Sequence, residues 1–227
     1  MESLLAAVTA PSAVTDAAET VAILVLLSEF AMLRSALSRS QVNLYAFQSL
    51  AVAALAFIVA AERHVNDLFV LGSLSLLLKV VIVPAILSRV LREAPDDVAG
   101  SHRLGVASMV MSAIVLSGFG IFVIGTMPIH SKLLPVLALA IAAAVILVAF
   151  LLVIVRSDVV SQAIGFFSLE NGVSLAGYVL AAGLPLIAEV AFLFDLLVAV
   201  VVFGVLMRVH HGRSASLSTR ALEKLRG

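Results

Sequence analysis

The residues of this chain that are best suited to proton chemistry lie in its most apolar surroundings. Glu170, Glu189 and Asp195 fall within a long hydrophobic stretch near the C-terminus, and Glu29 and Lys79 fall within earlier ones. A charged side chain at the centre of a membrane helix costs about 2.5 to 3.5 kcal/mol even on a lenient insertion scale. Residues that are retained at that cost are expected to have a function. These five residues are therefore the candidates for a proton relay.

Burial is what suits such groups to moving protons. A medium of low dielectric constant favours the neutral form of a carboxyl group and of an amine, so both exchange protons near neutral pH. Chains of these groups, joined by water, form proton relays in membrane proteins. A structural alternative stays open: Lys79 pairs with Glu170 or Asp195, and the polar atoms only hold helices together.

The spacing of the C-terminal hairpin places two of its three acids at one depth. If the turn is centred between Ala182 and Gly183, Glu170 and Asp195 are equally far from it along their helices. At 1.5 Å per residue that distance is about 19 Å, near the bilayer centre, whereas Glu189 lies only about 10 Å from the turn. Spacing therefore favours Asp195 over Glu189 as the partner of Glu170.

The elements that carry these residues are predicted to be membrane-spanning helices. The 227-residue chain is 63% hydrophobic and 12% charged, far from the composition of soluble proteins. A helix needs about 20 mostly apolar residues to cross the hydrocarbon, and no segment alternates as a membrane strand does. We therefore expect an all-α polytopic membrane helix bundle of about seven transmembrane helices. The predicted spans are 17–37, 44–61, 68–88, 104–126, 133–155, 159–181 and 185–207.

Positive charges indicate the orientation of the bundle, because Lys and Arg accumulate in cytoplasmic loops. Eleven of the 14 basic residues fall on one side of the predicted topology, and only Arg63 and Lys132 fall on the other. This distribution predicts an N-terminus outside and a C-terminus in the cytoplasm. Residues 1–16 lack the basic region of a cleavable signal peptide, so the first span is expected to stay in the mature protein.

The composition also excludes several kinds of site. The chain has no cysteine, so it cannot ligate an iron–sulfur cluster through thiolates, and a formal net charge of zero gives no bias toward nucleic acid. No phosphate loop, zinc-protease motif or dinucleotide fingerprint is present. We expect no catalytic residue, no metal site and no bound cofactor in this chain.

Small residues and one proline indicate how the helices pack. Pro84 follows Lys79 and frees the carbonyl of Val80, which is expected to loosen the helix beside the lysine. Asn171 and Gln162 are available for hydrogen bonds across helices. The glycines of the fourth and sixth spans are typical of close helix packing. They are Gly118, Gly120, Gly125, Gly165, Gly172 and Gly177.

Five runs of sequence are distinctive. They are RSDVVSQAIGFFSLENG at 156–172, PLIAEVAFLFDLLVAVVVFGVLMR at 185–208, LYAFQSLAVA from Leu44, LKVVIVPAIL from Leu78 and the ending LEKLRG. Together they resemble component E of the membrane-bound NiFe hydrogenases of the hydrogenase-4 and formate-hydrogenlyase type. The resemblance covers most of the chain, and its ENG and AEVAFLFD patterns are the most specific.

The resemblance implies two regions. Residues 132–227 are similar to the K subunit of respiratory complex I and the C subunit of cation/proton antiporters, with a basic cytoplasmic tail added. Residues 1–127 form a four-helix extension that the K subunit lacks. In this comparison Glu170 is similar to the first midmembrane glutamate of the K subunit. The second is Glu189 or Asp195, because this chain has two acids where the K pattern has one.

The function that the resemblance implies is that of a non-catalytic membrane subunit. It would belong to a complex I-like energy-converting hydrogenase, or a related complex, in a bacterial or archaeal cytoplasmic membrane. Its partners would be antiporter-like membrane subunits and peripheral redox subunits on the cytoplasmic side. Its ionisable residues would serve proton translocation coupled to electron transfer. The alternatives are a purely structural spacer and an independent small transporter, the latter weakened by the lack of an obvious inverted repeat.

The predicted orientation can be tested directly. A reporter fused after Gly227 is expected to be active in the cytoplasm, because most basic residues lie on the side of the C-terminus. The measurement compares a reporter that works only in the cytoplasm with one that works only outside it. Activity outside the cytoplasm would overturn the topology.

Overall fold

The computed structural model describes residues 13–64, 66–93, 104–128 and 135–180. Its regular elements are helices, which confirms the all-α prediction for this part of the chain. The predicted seventh span and the basic tail lie outside the described residues, and so do Glu189 and Asp195. The elements are α1 (Ala13–Arg34), α2 (Ser38–Arg63), α3 (Asn66–Ser75), the π-helical segment π1 (Leu76–Ile82), α4 (Val83–Glu93), α5 (Val106–Thr126), α6 (Val136–Val155) and α7 (Val159–Leu180).

Five described stretches are long and apolar enough to cross a membrane. One of them runs through α3, π1 and α4 as a single span. α1 is 22 residues long but carries four charged residues, and it is not among the five. The described helices fit a multi-pass membrane protein, with predicted spans two to six near their expected places. The five stretches are Ser38–Glu62, Leu68–Arg92, Val106–Thr126, Val136–Val155 and Val159–Leu180.

One helix boundary differs clearly from the prediction. The sequence predicts a loop at 38–43, but α2 begins at Ser38, directly after a connection of three residues. Hydropathy misplaces this boundary because the first turn of α2 is polar, although Ser38 and Gln41 are buried. Gln41 Nε2 donates to the carbonyl oxygen of Met32 at 2.9 Å. The polar turn is therefore held inside the bundle by α1.

The described helices pack as two layers of three rods. In one layer α2 lies between α1 and the rod formed by α3, π1 and α4. In the other layer α6 lies between α5 and α7. The layers meet where α1 packs on α6 and α2 packs on α7, and both layers contribute to the buried core. α6 has a mean hydropathy of 3.3, as suits a helix that contacts α1, α5 and α7.

A buried arginine joins the two layers at one end of the bundle. Arg156 follows α6, and its Nη2 donates to the carbonyl oxygens of Met32, Leu33 and Ser35 at 3.2, 2.9 and 2.5 Å. These acceptors lie at the C-terminal end of α1, where a helix runs out of intrahelical donors and carries partial negative charge. Burial lowers the pKa of Arg156, and the nearby Asp158 raises it. An arginine stays charged under such opposing effects.

The same junction is closed by three further side chains. Asp158 Oδ1 accepts from the backbone N–H of Ser161 at 2.7 Å, as an N-cap of α7. Gln162 Nε2 donates to the Arg156 carbonyl oxygen at 2.9 Å. The Ser161 hydroxyl donates to Gln41 Oε1 at 2.6 Å. The α6–α7 junction and the α1–α2 junction thus share one end of the bundle, as antiparallel neighbours require.

Replacing Arg156 by Leu is expected to destabilise the bundle, because the carbonyl oxygens at the end of α1 lose a charged donor. Hydrogen bonds to charged groups contribute about 1.5 to 3 kcal/mol each, so a loss of about 3 kcal/mol is expected. The measurement is the thermal midpoint of the purified chain in detergent. Arg89→Leu is the control, since Arg89 is exposed on α4. Equal effects of the two substitutions would contradict the assigned role.

Candidate functional site

Two of the predicted site residues form an ion pair. Lys79 Nζ lies 2.6 Å from Glu170 Oε2, and 1% of the lysine side chain and 15% of the glutamate side chain are exposed. The ammonium also donates to Asn171 Oδ1 and to Ser174 Oγ, both at 3.2 Å. An ammonium has three protons, and a buried one needs an acceptor for each. Lys79 therefore has its full set of partners inside the bundle.

Lys79 lies in π1, where the helix departs from α-helical hydrogen bonding. The backbone N–H of Val83 bonds to the carbonyl oxygen of Leu78, five residues earlier. The next residue, Pro84, has no N–H and cannot extend the α-helical pattern. The sequence predicts a disturbance beside the lysine, and the structure shows that it takes the form of a π-helical segment. Such segments are frequent at functional sites.

Glu29, the third ionisable residue of the interior, has a different environment. It is fully buried, and its Oε1 accepts from Gln48 Nε2 at 3.0 Å and from the hydroxyl of Ser168. Its Oε2 has no hydrogen-bond partner in the described part of the chain. Both donors to Glu29 are neutral groups, whereas Glu170 is bonded to an ammonium.

Two side-chain amides connect Glu29 to the ion pair. Asn171 Nδ2 donates to Gln48 Oε1 at 3.0 Å. Since Asn171 also accepts from Lys79 and Gln48 also donates to Glu29, the hydrogen bonds are continuous from one ionisable group to the other. We call this set the polar network. Its members are Glu29, Gln48, Lys79, Ser168, Glu170 and Asn171.

Part of the polar network lies near the middle of the described helices. Ser168 and Glu170 lie 9 and 11 residues after the start of α7, which corresponds to about 14 and 17 Å along the helix axis. Lys79 lies near the middle of the span Leu68–Arg92. The hydrogen bonds of the network connect α1 to π1 through α2 and α7.

Polar residues that repeat every seven positions explain why the chain folds this way. Gln41 and Gln48 are seven residues apart on α2, and Ser161 and Ser168 are seven apart on α7. Seven residues make nearly two helical turns, so each pair faces the same neighbour. In both cases the serine hydroxyl donates to the glutamine oxygen, at 2.6 and 2.7 Å. Packing of α2 on α7 thus produces the same contact twice.

Each glutamine–serine pair has a third partner, a backbone carbonyl of α1, and these carbonyls repeat with the same spacing. We call each glutamine, with its serine and its carbonyl, a set. The two glutamines donate to the carbonyl oxygens of Met32 and Val25, which are also seven residues apart, at 2.9 and 3.3 Å. Only the set at Val25 contacts Glu29 and Asn171. The other set adjoins Arg156 and Asp158 instead: the guanidinium donates to the same Met32 carbonyl oxygen, and Asp158 Oδ1 accepts from the Ser161 N–H.

Two glycines allow α7 to approach α6 closely. A Cβ on Gly172 would lie 2.9 Å from Ile146 Cγ1, and a Cβ on Gly165 would lie 2.9 Å from Val153 Cγ2. Gly120 meets the α6 backbone in the same way. The predicted packing role is therefore correct for these three glycines. Gly118, Gly125 and Gly177 have no described atom within 4 Å of such a Cβ, so their packing role stays a prediction.

Three of the five predicted relay residues are brought together by the structure: Glu29, Lys79 and Glu170. Glu189 and Asp195 lie outside the described residues, so the pairing of either with Glu170 stays a prediction. Of the two partners proposed for Lys79, the described structure provides Glu170.

Sequence reasoning missed Gln48 and Ser168, and it treated Asn171 only as a residue available for hydrogen bonds. These side chains are uncharged, so their presence in a span costs less and attracts less notice. The available signal was the seven-residue repeat of Gln and Ser on two neighbouring helices.

The members of the polar network differ in what they can do with a proton. The three ionisable residues bind and release protons. The hydroxyl of Ser168 both donates and accepts, so it can pass a proton on. The two amides donate only from nitrogen and accept only at oxygen. The amides can therefore only fix orientations, whereas the ionisable residues and the hydroxyl have the chemistry to carry protons.

Comparison with known proteins gives relatives over most of the chain. The uncharacterized protein Rv0085 of Mycobacterium tuberculosis is 33% identical over 173 residues, which are 74% of this chain and 77% of that protein. Hydrogenase-4 component E of Escherichia coli (strain K12) is 27% identical over 191 residues, 83% of this chain and 88% of that protein. Component E of Shigella flexneri gives the same values. No family model matches the chain, and no solved structure matches it.

The described fold and the polar network define a multi-pass α-helical membrane protein with ionisable residues hydrogen-bonded in its interior. The relatives make the assignment more specific. Over most of its length the chain is a relative of hydrogenase-4 component E, the family that its sequence resembles.

Replacing Lys79 by Met is expected to reduce stability, because it leaves the Glu170 carboxyl group without its cation. Removing one partner of a buried pair costs about 3 to 5 kcal/mol, whereas replacing both partners by neutral groups is often tolerated. The double variant Lys79→Met/Glu170→Gln should therefore recover much of the loss in thermal midpoint. Glu62→Gln, at an exposed carboxylate of α2, should give Lys79→Met no such recovery. A double variant no more stable than Lys79→Met would argue against the pair.

Proposed function

We propose that this chain is a non-catalytic membrane subunit of a hydrogenase-type, energy-converting complex, and that its polar network takes part in proton translocation. The relatives named hydrogenase-4 component E support membership of such a complex. Membrane subunits beside it and peripheral redox subunits on the cytoplasmic side would supply the remaining functions. The complex would lie in a bacterial or archaeal cytoplasmic membrane, with the C-terminus of this chain in the cytoplasm.

The observation that carries the proposal is the continuous connection between Glu29 and the Lys79–Glu170 pair inside an apolar bundle. The Gln41–Ser161 contact shows that the same packing of α2 on α7 forms where the glutamine contacts no relay candidate. Ionisable side chains in a membrane interior mark ion pathways and proton relays.

The geometry supports a division of roles. Glu170 is the proton-exchanging group nearest an exposed surface, since 15% of its side chain is accessible. Lys79 supplies the positive charge beside it, and a proton arriving on Glu170 would remove the negative partner of that charge. Glu189 and Asp195 remain proposed partners of Glu170 in this scheme.

The polar network joins neighbouring helices in the interior of the bundle, from α1 to π1 through α2 and α7. A relay that connected the two aqueous sides through this chain alone would have to reach both ends of the bundle. We therefore expect transport to need the other membrane subunits of the complex.

A structural role is the second candidate, and one observation favours it. The polar network ties α1, α2, π1 and α7 together, and its ion pair is the kind of contact that fixes helix positions. The two candidates differ in what a conservative change should do. A structural tie should lose complex yield, whereas a relay should lose coupling.

Glu170→Gln in the intact complex distinguishes them. Glutamine keeps the size and an acceptor oxygen for Lys79, so assembly is expected to be retained while the exchangeable proton is lost. In reconstituted vesicles, electron transfer should continue and coupled proton movement should fall at least tenfold. Glu62→Gln, at an exposed carboxylate, is the matched control and should pump normally.

Unchanged pumping by the Glu170→Gln complex would contradict the relay proposal. A lowered yield of complex, with normal pumping by the part that assembles, would favour the structural role. Transport of a solute by the purified chain alone in liposomes would instead favour an independent transporter.

A further inference from the structure

Every hydrogen bond along the line from Lys79 to Glu29 points the same way. The Lys79 ammonium donates to Asn171 Oδ1, Asn171 Nδ2 donates to Gln48 Oε1, and Gln48 Nε2 donates to Glu29 Oε1. The two amides therefore lie head to tail, with each oxygen toward the ammonium and each nitrogen toward the carboxyl group. Aligned dipoles of this kind are favoured by charge at both ends and strengthen one another in a low dielectric.

The orientation of both amides is dictated by their neighbours. An ammonium only donates, so Asn171 must turn its oxygen to Lys79 and its nitrogen to Gln48. Gln48 Nε2 also lies 3.3 Å from the carbonyl oxygen of Val25. Reversing the Gln48 amide would place its oxygen against that carbonyl and against Glu29, where no proton is available between an ionised carboxylate and an oxygen.

The acceptor to which the Ser168 hydroxyl donates depends on whether Glu29 carries a proton. It lies within hydrogen-bond reach of both Gln48 Oε1, at 2.7 Å, and Glu29 Oε1. With one proton, it donates to one of them at a time. An ionised Glu29 is the stronger acceptor. A protonated Glu29 can donate to the Ser168 oxygen, and the hydroxyl proton then turns to Gln48.

We propose that the Gln48 and Asn171 amides couple the protonation state of Glu29 to the charge state of the Lys79–Glu170 pair, with Ser168 as the group that reverses its donor direction. The physiological meaning of this coupling rests on the proposed function. The coupling itself is a property of the folded chain and is measured without any transport.

Among the described helices, the surroundings of Glu29 leave few other routes for such coupling. α5 and α6, which pack against α1, contain no ionisable residue. The ionisable residues of α2 are Arg39, Tyr45, Glu62 and Arg63, those of α7 are Glu170 and Tyr178, and those that accompany Glu29 on α1 are Asp16, Glu19 and Arg34. Apart from Glu170 itself, Tyr45 is the one of these residues that is buried close to the polar network, where it lies near Glu170.

Infrared titration of the full chain in lipid nanodiscs tests the proposal. The carboxyl band of Glu29 is identified as the one that Glu29→Gln removes. The perturbation is the double variant Lys79→Met/Glu170→Gln, which removes an ammonium and a carboxylate together, so the change in through-space charge largely cancels. We expect the Glu29 titration midpoint to move to higher pH by about half a unit, roughly threefold in the protonation equilibrium. The reason is that the amides lose the donor that orients them toward ionised Glu29.

The decisive comparison repeats this perturbation in two matched backgrounds. Gln48→Met keeps side-chain length but removes the amide, so the shift should fall by at least half. Gln41→Met makes the same change in the set that contacts neither Glu29 nor Asn171, and it should leave the shift intact. If Gln48→Met fails to fold, Asn171→Leu interrupts the line at its other amide and should have the same effect.

Two results would overturn the coupling. One is a Glu29 midpoint that does not respond to the double variant, and the other is a response of equal size in the Gln48→Met and Gln41→Met backgrounds. Either would leave the proposed function standing if the Glu170→Gln complex still loses coupled proton movement. Conversely, normal pumping by that complex would remove the proposed function and leave the infrared result unaffected.

Discussion

A buried charge is stabilised by partners that replace the water it leaves, and much of the polar interior of this chain follows from that requirement. Lys79 and Arg156 find such partners in different ways. Lys79 has one carboxylate and two neutral oxygens. Arg156 uses the backbone carbonyls at the end of α1, through its Nη2, and thereby gains from the helix dipole. The acceptors of Arg156 are backbone atoms that hold helices together, whereas those of Lys79 include Glu170, a residue of the proposed relay.

The repeated glutamine–serine contact shows why polarity alone is a weak sign of function. The set at Gln41 and the set at Gln48 follow from the same packing of α2 on α7 and have nearly the same geometry. The set at Gln41 is hydrogen-bonded to backbone carbonyl oxygens at the end of the bundle. The set at Gln48 leads to Glu29 on one side and to Asn171 on the other. What the two sets are connected to, rather than what they contain, distinguishes them.

Much of the fold and half of the polar network were predictable from the sequence. Hydropathy locates the spans, the cost of burial singles out Glu29, Lys79 and Glu170, and Pro84 points to the departure from α-helix beside Lys79. The start of α2 was not predictable in this way, because a polar turn that packs inside the bundle has the composition of a loop. Arg156 has the same difficulty: its charge helps to orient the chain, but nothing in its position in a short connection indicates that it is buried.

The composition of the polar network also constrains how it can work. Its amides carry no labile proton, so an unbroken line of hydrogen bonds from Glu29 to Lys79 is not in itself a path for protons. What passes along that line is orientation, since each amide must turn its oxygen toward the ammonium. Glu29 is fully buried and has one oxygen without a described partner, whereas Glu170 is partly exposed and paired. In the proposed relay, two carboxyl groups in such unequal surroundings would exchange protons at different stages. A connection that transmits orientation would let one carboxyl group respond to the other without carrying a proton between them.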